Sequence, residues 1–447
     1  MENKQTVTVI GAGLAGSEAA WQIAQAGYSV RLFEMKPQKF SPAHKSAGFA
    51  ELICSNSLKA ARIDSAAGLL KEEMRRMDSL LVACADKTAV PAGGALAVDR
   101  DRFSELVTKA ITEHPNIEVM HGEVTEIPAE GVTVIASGPL TSDTLAEQIT
   151  NLCGGALSFF DAAAPIVTRE SLDMEYCFTA SRYDKGDDDY INCPMDERQY
   201  QTFYEALIAA ERAPLHDFEG KAEYFEGCMP VEAIASRGRD TLRFGPLRPV
   251  GLNDPRTGKR PYAVVQIRQD NAEGTLYNLV GFQTNLRWGE QQRVFRLIPG
   301  LERAEFVRMG VMHRNIYVDA PRCLDGCLRP RGMESLFLAG QMTGVEGYVE
   351  STAMGAVAAL GVFACLNGLP QPQWPAESAI GALLFRLKDA TNPRFAPTNA
   401  NMGIFPPLDE KIKSRKGRHE KILSRGRLKF LQFKANSALF FSGPSEE

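Results

Sequence analysis

The sequence lacks the cysteine patterns that stabilise small secreted domains or bind zinc. Its nine cysteines are an odd number, spread from Cys54 to Cys365 without regular spacing, which argues against a disulfide framework. The one close pair, Cys323 and Cys327, has no second pair and no nearby histidines, so no metal site is expected. Free thiols should therefore remain, and some of them could be reactive.

Long apolar runs and a strong net charge are also missing. No apolar run approaches the roughly 20 residues that cross a bilayer, and the polar start does not resemble a secretion signal. We therefore expect a cytoplasmic protein without a membrane partner. A net charge of −5 over 447 residues does not advertise nucleic-acid binding, although a global sum can hide local patches. The length is typical of two domains.

A complete βαβ pattern stands near the start of the chain. A β-branched strand at 6–10 leads into three glycines with G-x-G-x-x-G spacing, and a helix at 14–26 leads to a second strand ending at Glu34. The three glycines are Gly11, Gly13 and Gly16. The first permits a tight turn, the second a close approach to a pyrophosphate, and the third close helix packing. Glu34 is placed to bind ribose hydroxyls, so the pattern predicts FAD or NAD.

A second strand–glycine–helix pattern lies far along the chain and favours FAD over NAD. The apolar strand at 335–338 opens into a glycine turn with Gly340, Thr343 and Gly344, followed by a helix at about 351–366. An FAD site needs such an element to hold the ribityl chain and the flavin. We therefore expect an α/β fold: a doubly wound, Rossmann-like FAD-binding domain with an inserted mixed α/β domain. The expected ranges are 1–150 and 320–447 for the first, and 151–319 for the insertion.

A basic segment at 405–430 is a candidate RNA surface. Six of its basic residues are the candidate RNA contacts: Lys411, Lys413, Arg415, Lys416, Arg418 and Lys421. Within this run the only acidic residue is Glu420. Such a cluster attracts phosphates without reading sequence, although a solvated helix face is the common alternative. The arginines 237, 239, 243 and 248 form a second candidate surface. Without a recognisable RNA-binding motif, any recognition of RNA should use shape and backbone.

Several blocks together carry a resemblance to a known family. They are residues 9–19, 49–57, 91–100, 225–232, 237–246, 281–290 and 339–351. On these blocks the chain resembles, nearly end to end, the bacterial folate- and FAD-dependent tRNA (uracil-5-)-methyltransferases. The flavin-dependent enzymes that modify the wobble uridine of tRNA share the Gly340 region but are longer and lack the cysteine blocks. At 397–403 this chain reads Pro-Thr-Asn-Ala-Asn-Met-Gly where the family tends to read Pro-Met-Asn-x-Asn-Phe-Gly, which leaves details of the RNA or folate contact open.

The resemblance implies cofactors and site residues. It implies 5,10-methylenetetrahydrofolate as carbon donor, FAD, NAD(P)H as reductant, and 5-methyluridine in the T-loop of tRNA as product. It makes Cys228 the candidate nucleophile towards uracil and Cys54 the candidate partner in proton abstraction. Ser55 to Ser57 could cap a helix beginning near Leu58, whose dipole would favour a Cys54 thiolate. Tyr348 could stack on flavin or folate, with a core tyrosine as the alternative.

Other functions remain open at this point. The same chemistry could act on ribosomal RNA, or a flavoprotein oxidoreductase could act on a small molecule without RNA. A flavin-containing protein that remodels RNA without chemistry is a third possibility. The sequence leaves undecided which thiol performs which step, whether NADH or NADPH is preferred, and what the oligomeric state is.

Overall fold

The computed structural model describes residues 5–184, 187–214, 229–391 and 395–437. The strands are β1 (Val7–Ile10), β2 (Val30–Glu34), β3 (Ser57–Ala60), β4 (Ala89–Val90), β5 (Ala95–Val98), β6 (Ile117–His121), β7 (Val132–Ile135), β8 (Ala156–Ala162), β9 (Ile166–Thr168), β10 (Phe178–Thr179), β11 (Tyr190–Met195), β12 (Ala263–Gln269), β13 (Leu276–Leu279), β14 (Phe306–Arg308), β15 (Met312–Val318) and β16 (Leu336–Leu338). The α-helices are α1 (Leu14–Gln25), α2 (Ala66–Arg76), α3 (Leu80–Lys87), α4 (Arg100–Thr112), α5 (Asp143–Leu152), α6 (Glu197–Ala209), α7 (Val231–Ala235), α8 (Thr241–Phe244), α9 (Trp288–Phe295), α10 (Ala320–Cys323), α11 (Tyr348–Leu366), α12 (Ala379–Lys388) and α13 (Arg415–Asn436).

A parallel sheet built from both ends of the sequence supports the candidate site. Its strand order is β16-β7-β1-β2-β6, and each neighbouring pair is parallel. β1, α1 and β2 form the βαβ unit that the sequence predicted, and β16 adds the distant strand beside β7. The carboxyl ends of β1, β7 and β16 therefore meet at one edge, where α/β folds bind ligands. The predicted Rossmann-like α/β fold class is confirmed.

A second, antiparallel sheet occupies the middle of the chain. Its order is β10-β11-β12-β13-β9-β14, and it has its own apolar core with α6 and α9, in which Tyr200, Phe203, Phe282 and Phe295 are fully buried. The chain reaches this sheet through β8 and returns through β15, which pair with each other as an antiparallel ribbon. The ranges expected for the two domains stay a prediction.

The stretch between β3 and β4 contains two helices, α2 and α3. α2 ends at Arg76, and α3 begins at Leu80 after Asp78, whose φ of 55° lies in the left-handed region. Ser79 caps α3 by accepting from the Val82 N–H at 3.3 Å, and its hydroxyl donates to the buried Glu18 carboxylate at 2.8 Å. The break between the helices thus lets Ser79 provide hydrogen bonds to both the first turn of α3 and the buried Glu18 carboxylate.

The sequence-based statement that no apolar run approaches membrane-spanning length was wrong for α11. This helix has 19 residues and a mean hydropathy of 1.7, and 83% of its apolar window is buried inside the protein. It packs on α1 so closely that a Cβ at Gly355 would overlap the Ala15 carbonyl oxygen. Burial of this kind is what a core helix shows. The cytoplasmic location stays a prediction.

One pair of cysteines departs from the expectation of free thiols. Cys153, which follows α5, forms a disulfide with Cys323 at the end of α10, and the two are 170 residues apart in sequence. No spacing pattern could have indicated this bridge, because the fold alone brings its two ends together. Among the described residues, the free cysteines include Cys54, Cys84 and Cys365.

Candidate functional site

A cavity of about 350 Å³ lies at the edge where β1, β7 and β16 end. That volume is within the usual range for small-molecule sites, roughly 300–1,000 Å³. Six of the residues predicted from the sequence line it together: Gly11, Gly13, Glu34, Cys54, Gly340 and Tyr348. The fold therefore brings the glycine turn of the first βαβ unit, the cysteine block and the Gly340 turn to one place.

The three glycines of the first motif differ in why they must be glycine. Gly11 has a φ of 98°, and a Cβ there would lie 2.7 Å from the Ala136 carbonyl oxygen. A Cβ at Gly16 would overlap the Gly11 carbonyl oxygen, so Gly16 packs the helix and does not line the cavity. Gly13 has an ordinary φ of −73°, and a Cβ there would meet nothing within 4 Å. The protein itself does not require glycine at 13, and the space left open belongs to the cavity.

The start of α1 and the end of β2 provide a dinucleotide site. Gly13 is the N-cap of α1 without a side-chain cap, so free N–H groups and the helix dipole face the cavity. Glu34 is buried, and its carboxylate accepts from the Ala12 N–H at 2.8 Å and the Lys36 N–H at 3.0 Å. A helix N-terminus of this kind binds phosphates, and a carboxylate at this position accepts hydrogen bonds from ribose hydroxyls. These residues therefore fit the pyrophosphate and ribose of FAD.

Of the three residues predicted in the second glycine turn, only Gly340 lines the cavity. Gly340, with a φ of 81°, lines the cavity. Thr343 is buried and its hydroxyl donates to the Gly340 carbonyl at 2.8 Å, while a Cβ at Gly344 would overlap the Phe395 ring. Neither Thr343 nor Gly344 is among the residues that line the cavity. They shape the turn that carries Gly340 and Tyr348, and their direct contact with a cofactor stays a prediction.

Cys54 and Tyr348 form a close pair at the cavity wall. The Cys54 sulfur lies 3.1 Å from the Tyr348 hydroxyl oxygen. The same oxygen accepts from the N–H groups of Cys54 at 2.9 Å and Ser55 at 3.2 Å. With two donors already on the oxygen, the hydroxyl proton is free to point at the sulfur, and a hydrogen bond to a thiolate stabilises it.

The helix expected to begin near Leu58 is absent from this stretch, where the structure has β3 instead. The Asn56 side chain is buried and donates to the carbonyls of Val98 at 3.0 Å and Gln269 at 2.9 Å. These contacts hold the segment extended, and Lys59 then takes a φ of 64°. The helix that was expected to favour a Cys54 thiolate is therefore not formed. Burial, reinforced by the Asp161 carboxylate, raises the pKa of the Cys54 thiol to about 12.

This pKa predicts how Cys54 reacts with an alkylating reagent. Between pH 7 and 9 the thiolate fraction lies far below its midpoint, so iodoacetamide labelling of Cys54 in the ligand-free protein should accelerate about tenfold per pH unit. In urea the thiol regains an ordinary pKa near 8.5, and the rate should level off above that pH. Peptide mass spectrometry measures both rates. A plateau near pH 8 in the folded protein would contradict the buried, protonated thiol.

Three arginines from distant elements hold the loop that carries Cys54. Arg100 donates to the carbonyls of Leu52 at 2.9 Å and Ile53 at 3.3 Å. Arg308 donates to the Ile53 carbonyl at 2.9 Å, and Arg268 donates to the Ser55 hydroxyl at 2.9 Å. The sequence alone gives none of them a role at this loop, because their convergence depends on the docking of the antiparallel sheet.

A charged cluster closes another side of the cavity. The Lys59 ammonium lies 3.0 Å from a carboxylate oxygen of the fully buried Glu350 and 3.3 Å from one of Glu346. Asn399 donates to Glu346 at 3.3 Å, and the Ala400 N–H donates to Glu350 at 3.0 Å. The segment that departs from the family pattern, 397–403, thus lies against the residues that follow Gly344.

Cys228, the predicted nucleophile, lies outside the described residues. The arginines of the second candidate surface lie on and around α7 and α8. Arg239 pairs with Glu197 at 3.2 Å, and Arg243 pairs with Asp240 at 2.8 Å and stacks 3.6 Å over the Tyr262 ring. Arg248 donates to the Tyr183 hydroxyl at 3.3 Å. Two of these four arginines, Arg239 and Arg243, are therefore paired with acidic side chains of the protein.

The basic segment forms the start of α13 and the turn before it. All six predicted cations are exposed or partly exposed: Lys411, Lys413, Arg415, Lys416, Arg418 and Lys421. Lys416 lies 3.8 Å from Glu420, and Lys421 pairs with Glu410, a second opposing acid that directly precedes the run. Further along α13, Arg427 pairs with Glu72 on α2 at 2.8 Å, which holds α13 against α2.

Comparison with known proteins agrees with this geometry. The family model described as glucose inhibited division protein A matches residues 6–370. The chain is 58% identical over 434 residues to a Desulfitobacterium hafniense protein named methylenetetrahydrofolate–tRNA-(uracil-5-)-methyltransferase TrmFO, covering 97% of this chain and 99% of that one. A Geobacter sulfurreducens protein of the same name is 58% identical over 415 residues, covering 92% and 95%. The solved structure of Aquifex aeolicus GidA superposes with a TM-score of 0.71 at 16% identity, covering 99% of this chain and 77% of that one, which shows a shared fold.

Proposed function

The chain belongs to the methylenetetrahydrofolate–tRNA-(uracil-5-)-methyltransferase family, and from this premise we propose that it methylates C5 of a uridine in the T-loop of tRNA. The carbon comes from 5,10-methylenetetrahydrofolate, and NAD(P)H supplies the reducing equivalents. In balance, uridine, methylenetetrahydrofolate, NAD(P)H and a proton give 5-methyluridine, tetrahydrofolate and NAD(P)⁺. The observation that carries the proposal is the Cys54–Tyr348 pair on the wall of a cavity that fits FAD.

The residues for the cofactor are those of the two glycine turns. Gly11 and Gly13 would hold the pyrophosphate at the start of α1, Glu34 the ribose, and Gly340 the ribityl chain. When bound, FAD supplies the two-electron chemistry that converts a methylene group into a methyl group. The role of the protein is to bind and orient both partners and to keep water out of a cavity of about 350 Å³.

The cysteines would activate the base. Uracil C5 is a poor nucleophile until a thiolate adds at C6, and a thiolate is also a good leaving group. We assign the addition to Cys228; the enolate of the base would then attack the methylene carbon through C5, and the electron pair of the bond broken at that carbon would stay on the nitrogen that carried it. Cys54, ionised by loss of its own proton to solvent, would take the proton from C5, and the bond from Cys228 to C6 would then break with its electron pair returning to the Cys228 sulfur. The Tyr348 hydroxyl would hold the Cys54 sulfur in place and favour its charged form during proton removal.

One labelling experiment tests the proposal. Purified protein is incubated with unmodified tRNA transcript, NADPH and isotopically labelled methylenetetrahydrofolate, and nucleosides are mapped by mass spectrometry. Labelled 5-methyluridine in the T-loop is the expected result. In a parallel incubation with ribosomal RNA, label there but not in tRNA would show that ribosomal RNA is the substrate. Reduction of bound flavin without label in either RNA would favour an oxidoreductase acting on a small molecule.

The basic part of α13 should contribute to tRNA binding through phosphates. Replacing Lys413, Arg415, Lys416 and Arg418 by alanine should weaken tRNA binding by about tenfold or more at low salt. The salt dependence should also become shallower, by roughly 0.7–0.9 in the slope of log K against log salt for each phosphate that is no longer neutralised. Filter binding or fluorescence anisotropy over a salt series measures both.

A matched variant removes the same charge elsewhere. Arg31, Lys39, Arg102 and Lys109 are also exposed and belong to other surfaces. Their fourfold alanine variant should leave the slope close to that of the wild type. Equal losses in both variants would mean that only net charge matters, and α13 would then not be a binding surface.

A further inference from the structure

The side chain of Asn315 is a buried amide whose hydrogen-bonding groups are unused within the described part of the chain. Asn315 is 1% exposed, and neither its Nδ2 nor its Oδ1 has a hydrogen-bond partner among the described residues. Leaving a buried polar group unpaired lowers the stability of a protein, because the group loses its hydrogen bonds to water. A side chain that bears this cost twice indicates a partner that the protein chain does not supply.

The position of Asn315 is fixed by the ribbon that joins the two sheets. In the pairing of β15 with β8, Asn315 lies opposite residue 159, and residue 313 lies opposite Asp161. Directly opposed residues share a face, and alternate residues on a strand share it too, so Asn315 and Asp161 lie on one face of the ribbon. Both line the cavity of about 350 Å³.

The backbone of the following residue helps to hold Asn315 in this position. The next residue, Ile316, donates its N–H to the Pro139 carbonyl at 3.1 Å. Pro139 belongs to the turn after β7 and lines the same cavity, as does Gly340 at the end of β16. The unpaired amide is therefore held where the strands of the cofactor-binding sheet end, on the same cavity wall as Asp161 and within the cavity that also holds Cys54.

The chemistry of a carboxamide limits what it can recognise. It offers one acceptor oxygen and an NH₂ donor side by side. The complementary partner is a cyclic amide edge, in which a ring N–H stands next to a ring carbonyl. The flavin ring, the pterin ring of folate and the uracil base all carry such an edge, whereas phosphates, riboses and carboxylates do not.

We propose that Asn315 binds a cyclic amide edge of a heterocycle in this cavity and thereby sets which ring is accepted and how it is oriented. The inference rests on the proposed function, which places a flavin and a folate here. The proposal commits to the flavin or the pterin, which share this chemistry, and the test separates these two.

The test compares Asn315→Leu and Asn315→Asp with the wild type in the full chain. FAD binding is titrated by fluorescence quenching on flavin-depleted protein, and tetrahydrofolate binding on FAD-loaded protein. Loss of two hydrogen bonds should raise the Kd of one ligand about tenfold, equivalent to about 1.4 kcal/mol. A weaker FAD complex identifies the flavin edge, and a weaker tetrahydrofolate complex identifies the pterin edge. Asn315→Asp keeps the size and an acceptor, so it guards against a packing effect of leucine.

A second readout separates binding from folding. Because Asn315→Leu removes an unsatisfied buried amide, the flavin-depleted variant should melt at or above the wild-type temperature. Asn278→Leu is the matched control, since Asn278 is buried and donates to Asn56 and Asp270 at 3.0 Å each; this variant should melt lower.

The outcomes distinguish the inference from the proposed function. Wild-type affinities for both ligands in Asn315→Leu, or a fall in its melting temperature like that of Asn278→Leu, would overturn the role of Asn315. Failure of the wild type to bind either FAD or tetrahydrofolate would instead overturn the proposed function, and the inference with it.

Discussion

Replacing Cys54 by alanine should lower the rate of 5-methyluridine formation by about 10²–10⁴-fold, the range for loss of a positioned acid–base group. The Cys54 sulfur lies on the cavity wall, 3.1 Å from the Tyr348 hydroxyl. Its removal takes away the group that we assign to the C5 proton, and the glycines and Glu34 that would hold FAD are untouched. Flavin absorbance of the purified variant should therefore match the wild type while labelled product disappears.

Two further variants make this result specific to Cys54. Cys365 is also partly buried and free, and does not line the cavity, so Cys365→Ala should keep wild-type activity. Tyr348→Phe leaves the N–H groups of Cys54 and Ser55 without their shared acceptor and should show an intermediate loss, about 10–100-fold. If Cys54→Ala forms product at the wild-type rate, the proton passes to another group.

Replacing Gly13 by valine should prevent FAD binding without unfolding the protein. No protein atom lies within 4 Å of a Cβ at this position, and φ is −73°, so the backbone accepts a side chain. The added methyl groups would enter the space proposed for the pyrophosphate, and the FAD affinity should fall at least about 100-fold, because close approach is prevented. Flavin content after purification and a Kd on flavin-depleted protein measure the effect.

The neighbouring glycine supplies a contrasting variant. Gly16→Ala places a methyl group on the Gly11 carbonyl oxygen, so it should lower the melting temperature even without flavin. Gly13→Val should leave the melting temperature of flavin-depleted protein within a few degrees of the wild type. A Gly13→Val protein that retains flavin would show that the pyrophosphate lies elsewhere.

The sequence predicted those parts of the site that local patterns encode. Gly11, Glu34 and the Gly340 turn belong to strand–turn–helix units whose spacing is set by neighbouring residues, and the structure brings them to one cavity. The extended backbone after Cys54 and the raised pKa of its thiol were not predictable in this way. The segment after Cys54 is extended because Asn56 bonds to Val98 and Gln269, which are remote in sequence.

Two other features escaped the sequence for comparable reasons. Asp161 and Asn315 face one cavity only because β8 and β15 pair across the whole inserted segment, and neither residue stands in a motif. The high mean hydropathy of α11 was missed because many of its residues are alanine and glycine, which are weakly apolar individually. Its burial depends on close packing against α1 rather than on large apolar side chains.

The ribbon of β8 and β15 joins the two sheets and is at the same time a wall of the cavity, since it carries Asp161 and Asn315. Because the same ribbon connects the sheets and lines the cavity, a movement between the two sheets and ligand binding in the cavity are thermodynamically linked. If RNA bound to the antiparallel-sheet side rotated that side by even a small angle, the ribbon would turn with it and change the affinity for the ligand in the cavity. By reciprocity, a ligand in the cavity would change the affinity for RNA by the same factor.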